Sequence, residues 1–354
     1  MLVLGIESSC DETAAAVVES SGGRPRIRSN VVASQIDIHR HFGGVVPELA
    51  SRNHLKMIIP VIEESLAQAG VGLAELSGIA VTQGPGLIGS LLVGFNVAKS
   101  LSLATGIPYR AVSHLESHLF AAMLESEFEF PFLGLVVSGG HSSILWLEKL
   151  GQYTTLARTR DDAVGEAFDK IAKFLRLGYP GGPAIEKTAR SGNPRAFSLP
   201  RAVMKDRSLD FSYSGLKTAV ILETRKHSLP LPPSQLSDLA ASFQEAAVDM
   251  IISRVESALR LKGTNQLVAS GGVACNTRLR ERLTELSRNL GFRLLLPSPH
   301  LCTDNGAMVA MSGLLYFQAG MTSSFDLNAY PIEAFHQPGK NIVPPSGTDR
   351  GISK

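Results

Sequence analysis

Cysteine is scarce: Cys10, Cys275 and Cys302 are the only three in 354 residues. An odd, small number cannot build a disulfide framework, so the expected compartment is a reducing cytoplasm. Charged residues are also few, at 19%, against 44% hydrophobic residues and 33 glycines. That balance argues against a disordered chain and for a compact α/β enzyme with many tight turns. No basic-apolar leader is expected at the start, because Leu2 to Ile6 is short and runs straight into an acidic loop. No apolar span of 18 residues is expected either, which excludes a membrane reading.

What is present begins with Ser-His-Leu-Glu-Ser-His, residues 113 to 118. His114 and His118 stand four apart in a run that reads as helix through Leu124. Four residues make about 400° of turn, so both imidazoles project from one face. Such a pair can grip one transition-metal ion, leaving positions for a third ligand, water and substrate. The same residues border an apolar stripe of Leu115, Leu119, Ala122 and Met123, where ordinary half-buried histidines occur. The pair alone leaves both readings open. A zincin is disfavoured, because its general base must follow the first histidine directly and here the acid is Glu116, two residues on.

The net charge of +2 says little about nucleic acid, but its distribution says more. From Lys187 to Lys226 there are nine Lys/Arg against three acids, a local +6 that leaves −4 for the rest of the chain. A basic insert, bounded by Pro230, Pro232 and Pro233, on a mildly acidic body suggests a polyanionic partner, the other reading being a solvated loop.

The length allows two lobes. Apolar patterning predicts a first half of order β-β-β-α-β-α-β-α: strands 2–6, 14–19 and 27–34, a loop at 39–44, a helix from Pro47, strand 79–82, a helix to Leu103, strand 109–112 and the histidine helix. The second half repeats the order, with strands 132–137, 143–147 and 153–158, helices 163–175 and on to Arg190, and a long helix to Leu261. Strand 266–270, a helix to Asn289, strand 292–296 and a helix from Asp304 complete it. Loops 7–13, 138–142 and 271–276 each leave a buried strand, and the last two are glycine-rich. Backbone amides there can converge on phosphate oxygens. Matching loops in two similar halves predict a nucleotide held in a cleft, in a two-lobed α/β fold of the actin/hexokinase/Hsp70 group. The expected divisions are 1–128, 129–303 with the insert at 187–232, a closing helix at 304–330 and a loose tail at 338–354.

Read together, eight stretches are more specific: Gly5-Ile-Glu-Ser-Ser-Cys-Asp-Glu-Thr13, Gly84-Pro-Gly86, His114-x-x-x-His118, Ser138-Gly-Gly-His141, Gly181-Gly-Pro183, Phe211-Ser-Tyr-Ser-Gly-Leu-Lys217, Ser270-Gly-Gly-Val-Ala-Cys-Asn276 and Thr303-Asp-Asn305. In this order and spacing, over about residues 2 to 330, the chain resembles the tRNA N6-adenosine threonylcarbamoyltransferases of the bacterial TsaD type. The resemblance implies Asp304 as the third metal ligand, with iron(II) favoured and zinc(II) the other candidate. It implies that Val137, Ser138, Gly139, Gly140 and His141 hold the acyl and phosphate side of an adenylate. Asp169, Gly182, Glu186 and Asn276 would hold its ribose and adenine.

The reaction implied is transfer of threonylcarbamoyl from threonylcarbamoyl-AMP to N6 of adenosine 37, in tRNAs reading codons that begin with A. Asp11 and Glu12, on the loop expected to face the cleft, are the candidate general bases. Arg201, Lys205, Arg207 and Lys217 are the candidate tRNA contacts, with Phe211 and Tyr213 as aromatic surfaces for a base. The partners implied are a metal-less paralogous subunit with a similar N-terminal lobe, a P-loop ATPase subunit, and a separate enzyme that makes the adenylate. Two other readings fit parts of the pattern: an ATPase or small-molecule kinase of the same fold, and a non-catalytic assembly subunit. Metal content discriminates between them.

Overall fold

The computed structural model describes residues 1–227 and 230–331; the tail expected to be loose lies outside the described residues. Strands β1 (Leu2–Glu7), β2 (Glu12–Glu19) and β3 (Arg26–Ser34) form an antiparallel meander. A short helix, α1 (Ile36–Arg40), stands where a loop was expected to begin at His39. His39 is buried there, and its Nδ1 accepts the Val46 N–H, which pins the turn that follows. Helix α2 (Pro47–Ala69) opens on proline, whose missing N–H costs nothing in a first turn, and ends at left-handed Gly70. Then come β4 (Gly78–Gly84), α3 (Ile88–Thr105), β5 (Tyr109–Ser113) and α4 (His114–Phe120). The histidine helix was expected to continue to Leu124; it gives way to a 3-10 turn over Ala121–Leu124.

The second half runs β6 (Phe132–Val137), β7 (Ser142–Lys149), β8 (Gln152–Arg158), α5 (Val164–Phe174), α6 (Gly181–Ala189), α7 (Ser214–Thr224) and α8 (Pro233–Lys262). It ends with β9 (Gln266–Ser270), α9 (Thr277–Leu290), β10 (Arg293–Leu295), α10 (Pro299–Cys302) and α11 (Gly306–Gln318). The sheets have orders β3-β2-β1-β4-β5 and β10-β9-β6-β7-β8. In each half the first strand is central, antiparallel to the second and parallel to the fourth. The two halves are therefore the same β-β-β-α-β-α-β plan used twice. Their parallel strands all end toward the loops singled out above, where open α/β sheets bind ligands.

One face of the first sheet buries Leu4, Ile6, Val17 and Ile79 against Ile58 of α2 and Phe95 of α3. The other face, with Val3, Ala16, Val18 and Ala80, is covered by Met308, Val309, Met311 and Leu314 of α11. Each of the Val, Leu, Ile, Phe and Met side chains among these contributes roughly 1.5–3 kcal/mol on burial. The second sheet packs Leu135, Ile144 and Leu267 against Phe168, Phe243 and Ala247 of α5 and α8.

Helix α3 overturns one expectation: it is 18 residues long and apolar enough by length and composition to cross a membrane, the one such helix among the described residues. Lys99 is its single charge, and Ser90, Asn96 and Ser102 interrupt the apolar run without lowering the average enough to exclude it. Val93, Phe95 and Ala98 of this helix lie in the core of the first half, so its composition is that of a packed helix.

Candidate metal centre

Helix α4 starts directly at the end of β5, and the Ser113 side chain caps it by accepting the Glu116 N–H. That abrupt entry puts His114 in the first turn and His118 one turn later, both buried, with ring centroids 4.6 Å apart and planes at 80°. Asp304 arrives from the loop between α10 and α11. Its Oδ1 lies 3.1 Å from His118 Nε2 and 3.7 Å from His114 Nε2, and ligand atoms of all three lie within 4.8 Å of one another. Donors about 2.1 Å from one ion in a tetrahedral set stand about 3.4 Å apart, so the cluster has the size of a metal site. Among the described residues the Nδ1 of buried His118 has no hydrogen-bond partner, while its Nε2 faces the Asp304 carboxylate at 3.1 Å. A buried imidazole packed against a largely buried carboxylate is costly to desolvate; an ion held by Nε2 and Asp304 would satisfy both. The residues present fit a divalent metal.

The electrostatics agree. Burial alone would push the Asp304 carboxyl up, but His114 and then His118 hold it well below the usual carboxylate range. Burial lowers His114, and Asp304 and Glu7 outweigh it, raising the ring to about 9. In the metal-free chain the positive charge thus sits on His114, where an ion would replace a proton. His141 comes from the second half, its ring centroid 5.7 Å from that of His114. Burial, then His114 and His118, push it down to about 3, so it is a neutral imidazole.

The other expected residues fall as follows. Val137 ends β6, and Ser138 and His141 bind each other across the turn, the Ser138 N–H donating to the His141 carbonyl at 2.8 Å. Gly139 and Gly140 face open space. Asp169 is half-buried; its Oδ1 accepts the Gly181 N–H at 2.7 Å. Burial, against that hydrogen bond and with help from Asp11 and Glu166, pushes its carboxyl up to about 6. Gly182 faces open space. Asn276 donates from Nδ2 to Gln244 and Glu186, and its Oδ1 caps α9 at Leu279. It is engaged within the chain, and so is Glu186, which also accepts the Thr277 N–H. Asp11 and Glu12 are near the centre; burial, then Asp11 and Asp304, push the Glu12 carboxyl well up.

The expected tRNA contacts are corrected in part. Phe211 and Tyr213 are buried and stacked on each other, 6.3 Å between centroids, so neither offers a surface to a base. Arg201 is ion-paired to Asp249 at 2.8 Å, and Lys217 to Asp162. The partners lie outside the insert, where a local charge count cannot see them. Lys205 and Arg207 remain exposed, with no ion pair among the described residues. Sequence reasoning also passed over Glu7, Ser9 and Tyr179. Glu7 and Ser9 touch His114. Tyr179, from the second half, is pushed up by burial and by Asp11, Asp169, Cys10 and Glu12 together, which places it among the acids of both halves. The signal for Glu7 and Ser9 was their place at the end of a buried strand, in the same motif as Asp11.

Two equivalent α/β halves with their strand ends facing a shared site define a two-lobed protein of the actin/hexokinase/Hsp70 fold group, here carrying a two-histidine, one-carboxylate centre. The fold is shared with T. kodakarensis HypF, at a TM-score of 0.63 and 15% identity, over 91% of this chain; the chain spans about half (48%) of that protein's length. Sequence relatives are far nearer. The tRNA N6-adenosine threonylcarbamoyltransferase of Pelobacter propionicus is 52% identical over 93% of this chain and 96% of its own. That of Anaeromyxobacter sp. (strain Fw109-5) is 53% identical over 94% and 99%. The family profile matches residues 26–311. The chain belongs to the tRNA N6-adenosine threonylcarbamoyltransferase family.

Proposed function

We propose that the chain transfers the threonylcarbamoyl group from threonylcarbamoyl-AMP to N6 of adenosine 37, in tRNAs that read codons beginning with A. Membership of the family makes it a transferase acting on tRNA. The observation that carries the reading is the cluster of His114, His118 and Asp304 at the meeting of the two halves, in a chain that matches these enzymes over nearly all its length. It sets aside the ATPase, kinase and assembly-subunit readings.

The acceptor amine is a weak nucleophile because its lone pair is delocalised into the purine ring. The electrophile must be polarised and AMP must leave readily. His114, His118 and Asp304 would hold a divalent ion, iron(II) or zinc(II), which supplies a fixed positive charge and Lewis-acid polarisation of a donor oxygen. Gly139 and Gly140, with open space before them, present amides to the donor's anionic side. Neutral His141 offers a hydrogen bond without adding charge. Asp11 and Glu12, the latter with its carboxyl pushed well up by burial and by Asp11 and Asp304, are the candidate bases for the N6 proton. Asp169 supplies an acceptor for ribose hydroxyls.

The partner reading, a metal-less paralogue and a P-loop ATPase, is supported by exposed Leu55 and Ile59 on α2 and Ile88 and Leu92 on α3, two helices packed side by side. A reducing cytoplasm suits three free cysteines. The test is formation of N6-threonylcarbamoyladenosine in unmodified tRNA from synthetic threonylcarbamoyl-AMP, with partner subunits supplied. His118→Ala should abolish it while leaving the fold intact. Product at the wild-type rate from metal-free His118→Ala protein would overturn the reading.

A further inference from the structure

Glu7 ends β1 with no solvent exposure, and the resemblance gives it no role. Its carboxylate accepts from three directions. Oε1 takes the Ser9 N–H at 2.5 Å; Oε2 takes the Thr82 hydroxyl at 2.6 Å and faces His114 Nδ1 at 3.3 Å. The amide and the hydroxyl are donors to it, so the third contact is satisfied when His114 carries its proton on Nδ1. That tautomer leaves Nε2 with a free lone pair, and Nε2 is the nitrogen facing Asp304. His118 has nothing equivalent, since its Nδ1 has no partner among the described residues. On their Nδ1 sides the two histidines are therefore held unequally, one by a charged hydrogen bond and one by packing.

We propose that Glu7 is the positioning residue of the metal centre: it fixes His114 as the Nδ1–H tautomer, aims Nε2 at the ion, and makes that ring the stronger ligand. A carboxylate behind a metal-bound imidazole fixes ring orientation and raises ligand basicity. Ser9 Oγ, 3.2 Å from the same Nδ1, can share the proton but carries no charge to do this. The inference rests on His114, His118 and Asp304 being metal ligands.

Glutamine at position 7 keeps the shape and loses the charge. Its NH₂ must face either the Ser9 N–H, donor against donor, or the Thr82–His114 side, where it would drive the proton from Nδ1 to Nε2 and block the ligand. Zn²⁺ affinity of metal-free protein, by competition with a chromophoric chelator, should fall about 10- to 100-fold in Glu7→Gln. The Co²⁺ absorption spectrum should change as well. Glu7→Gln added to His114→Ala should weaken Zn²⁺ binding no further, because the two act through one ligand. Wild-type affinity and spectrum in Glu7→Gln, with binding abolished in His114→Ala, would overturn the role of Glu7 alone. Wild-type affinity in His114→Ala would overturn the metal reading and this inference with it. A third measurement needs no variant to fold: in histidine-labelled wild-type protein loaded with ¹¹³Cd²⁺, ¹⁵N NMR should show Cd coupled to His114 Nε2 and a proton on Nδ1. Coupling to Nδ1 would rule the proposal out.

Discussion

A Cβ on Gly5 would lie 2.3 Å from the carbonyl oxygen of Gly306, a residue from the far end of the chain. The closeness is mutual in kind, since a Cβ on Gly306 would meet Ala15 and Ala16 backbone atoms at 2.4 Å. Helix α11 thus rests its first turn directly on the first sheet, and Asp304 stands two residues before that turn. Gly306→Ala should lower stability by about 2–3 kcal/mol and weaken metal binding, because the displaced helix carries Asp304 with it. Gly23→Ala, with open space around it, should change neither. Denaturant melts and a metal titration check both.

Metal content gives a direct prediction. His114→Ala, His118→Ala and Asp304→Ala should each purify with little metal, and added Zn²⁺ should raise the melting temperature of the wild type but not of the variants. An equal rise in His118→Ala would place the ion elsewhere.

Asp169 sets a pH dependence. An unfolded aspartate ionises near 3.8, and in the fold this one is pushed up to about 6. The folded state binds the proton more tightly, so the contribution of Asp169 to stability is greatest below pH 4, declines as pH rises toward 6, and stays lower above. Asp169→Asn keeps the acceptor for Gly181 and removes the decline. It should be more stable than wild type at pH 7 by about 1–3 kcal/mol, relative to their difference at pH 4. Parallel pH profiles in urea unfolding would refute this.

Tyr213 offers a substitution expected to help. Its hydroxyl is buried with no hydrogen-bond partner among the described residues. Tyr213→Phe should stabilise by about 1 kcal/mol and leave tRNA affinity unchanged. A drop in melting temperature would reveal a partner for the hydroxyl.

The basic insert divides into two sets. Lys205→Ala with Arg207→Ala should weaken tRNA binding and flatten its salt dependence, by about 0.7–0.9 in log–log slope for each phosphate that is no longer neutralised. Lys217→Ala removes one partner of Asp162, which keeps Lys170, so it should lower stability modestly and leave the slope nearly as it was. Titrations at several salt concentrations separate the two. Equal slopes in all variants would put the tRNA path elsewhere.

Much of this was legible in one dimension. Strand Gln266–Ser270 is where the apolar run put it, because a strand buried on both faces leaves a continuous signature. His114 and His118 were legible as a pair because a helix turns spacing into direction. Asp304 was not, since nothing local in Thr-Asp-Asn tells it from a helix start; the family resemblance singled it out. The burial of Tyr213 and the pairing of Arg201 with Asp249 depend on segments far apart in sequence, which composition and local charge cannot register. The α1 helix escaped because five residues pinned by a buried His39 carry too little periodicity to read.

One face of the first sheet is closed by α11, far along the chain, and this bears on how the chain is made. Strands β1 to β5 are complete by Ser113, yet Val3, Ala16, Val18 and Ala80 are covered by residues 307–314. At about 5–20 residues per second, translation takes on the order of 10–40 s to deliver that cover. Through this interval the nascent sheet has one apolar face unprotected, and His114 and His118 wait for their third ligand. A ribosome-bound chain stopped short of residue 304 should therefore engage chaperones that the finished protein does not need.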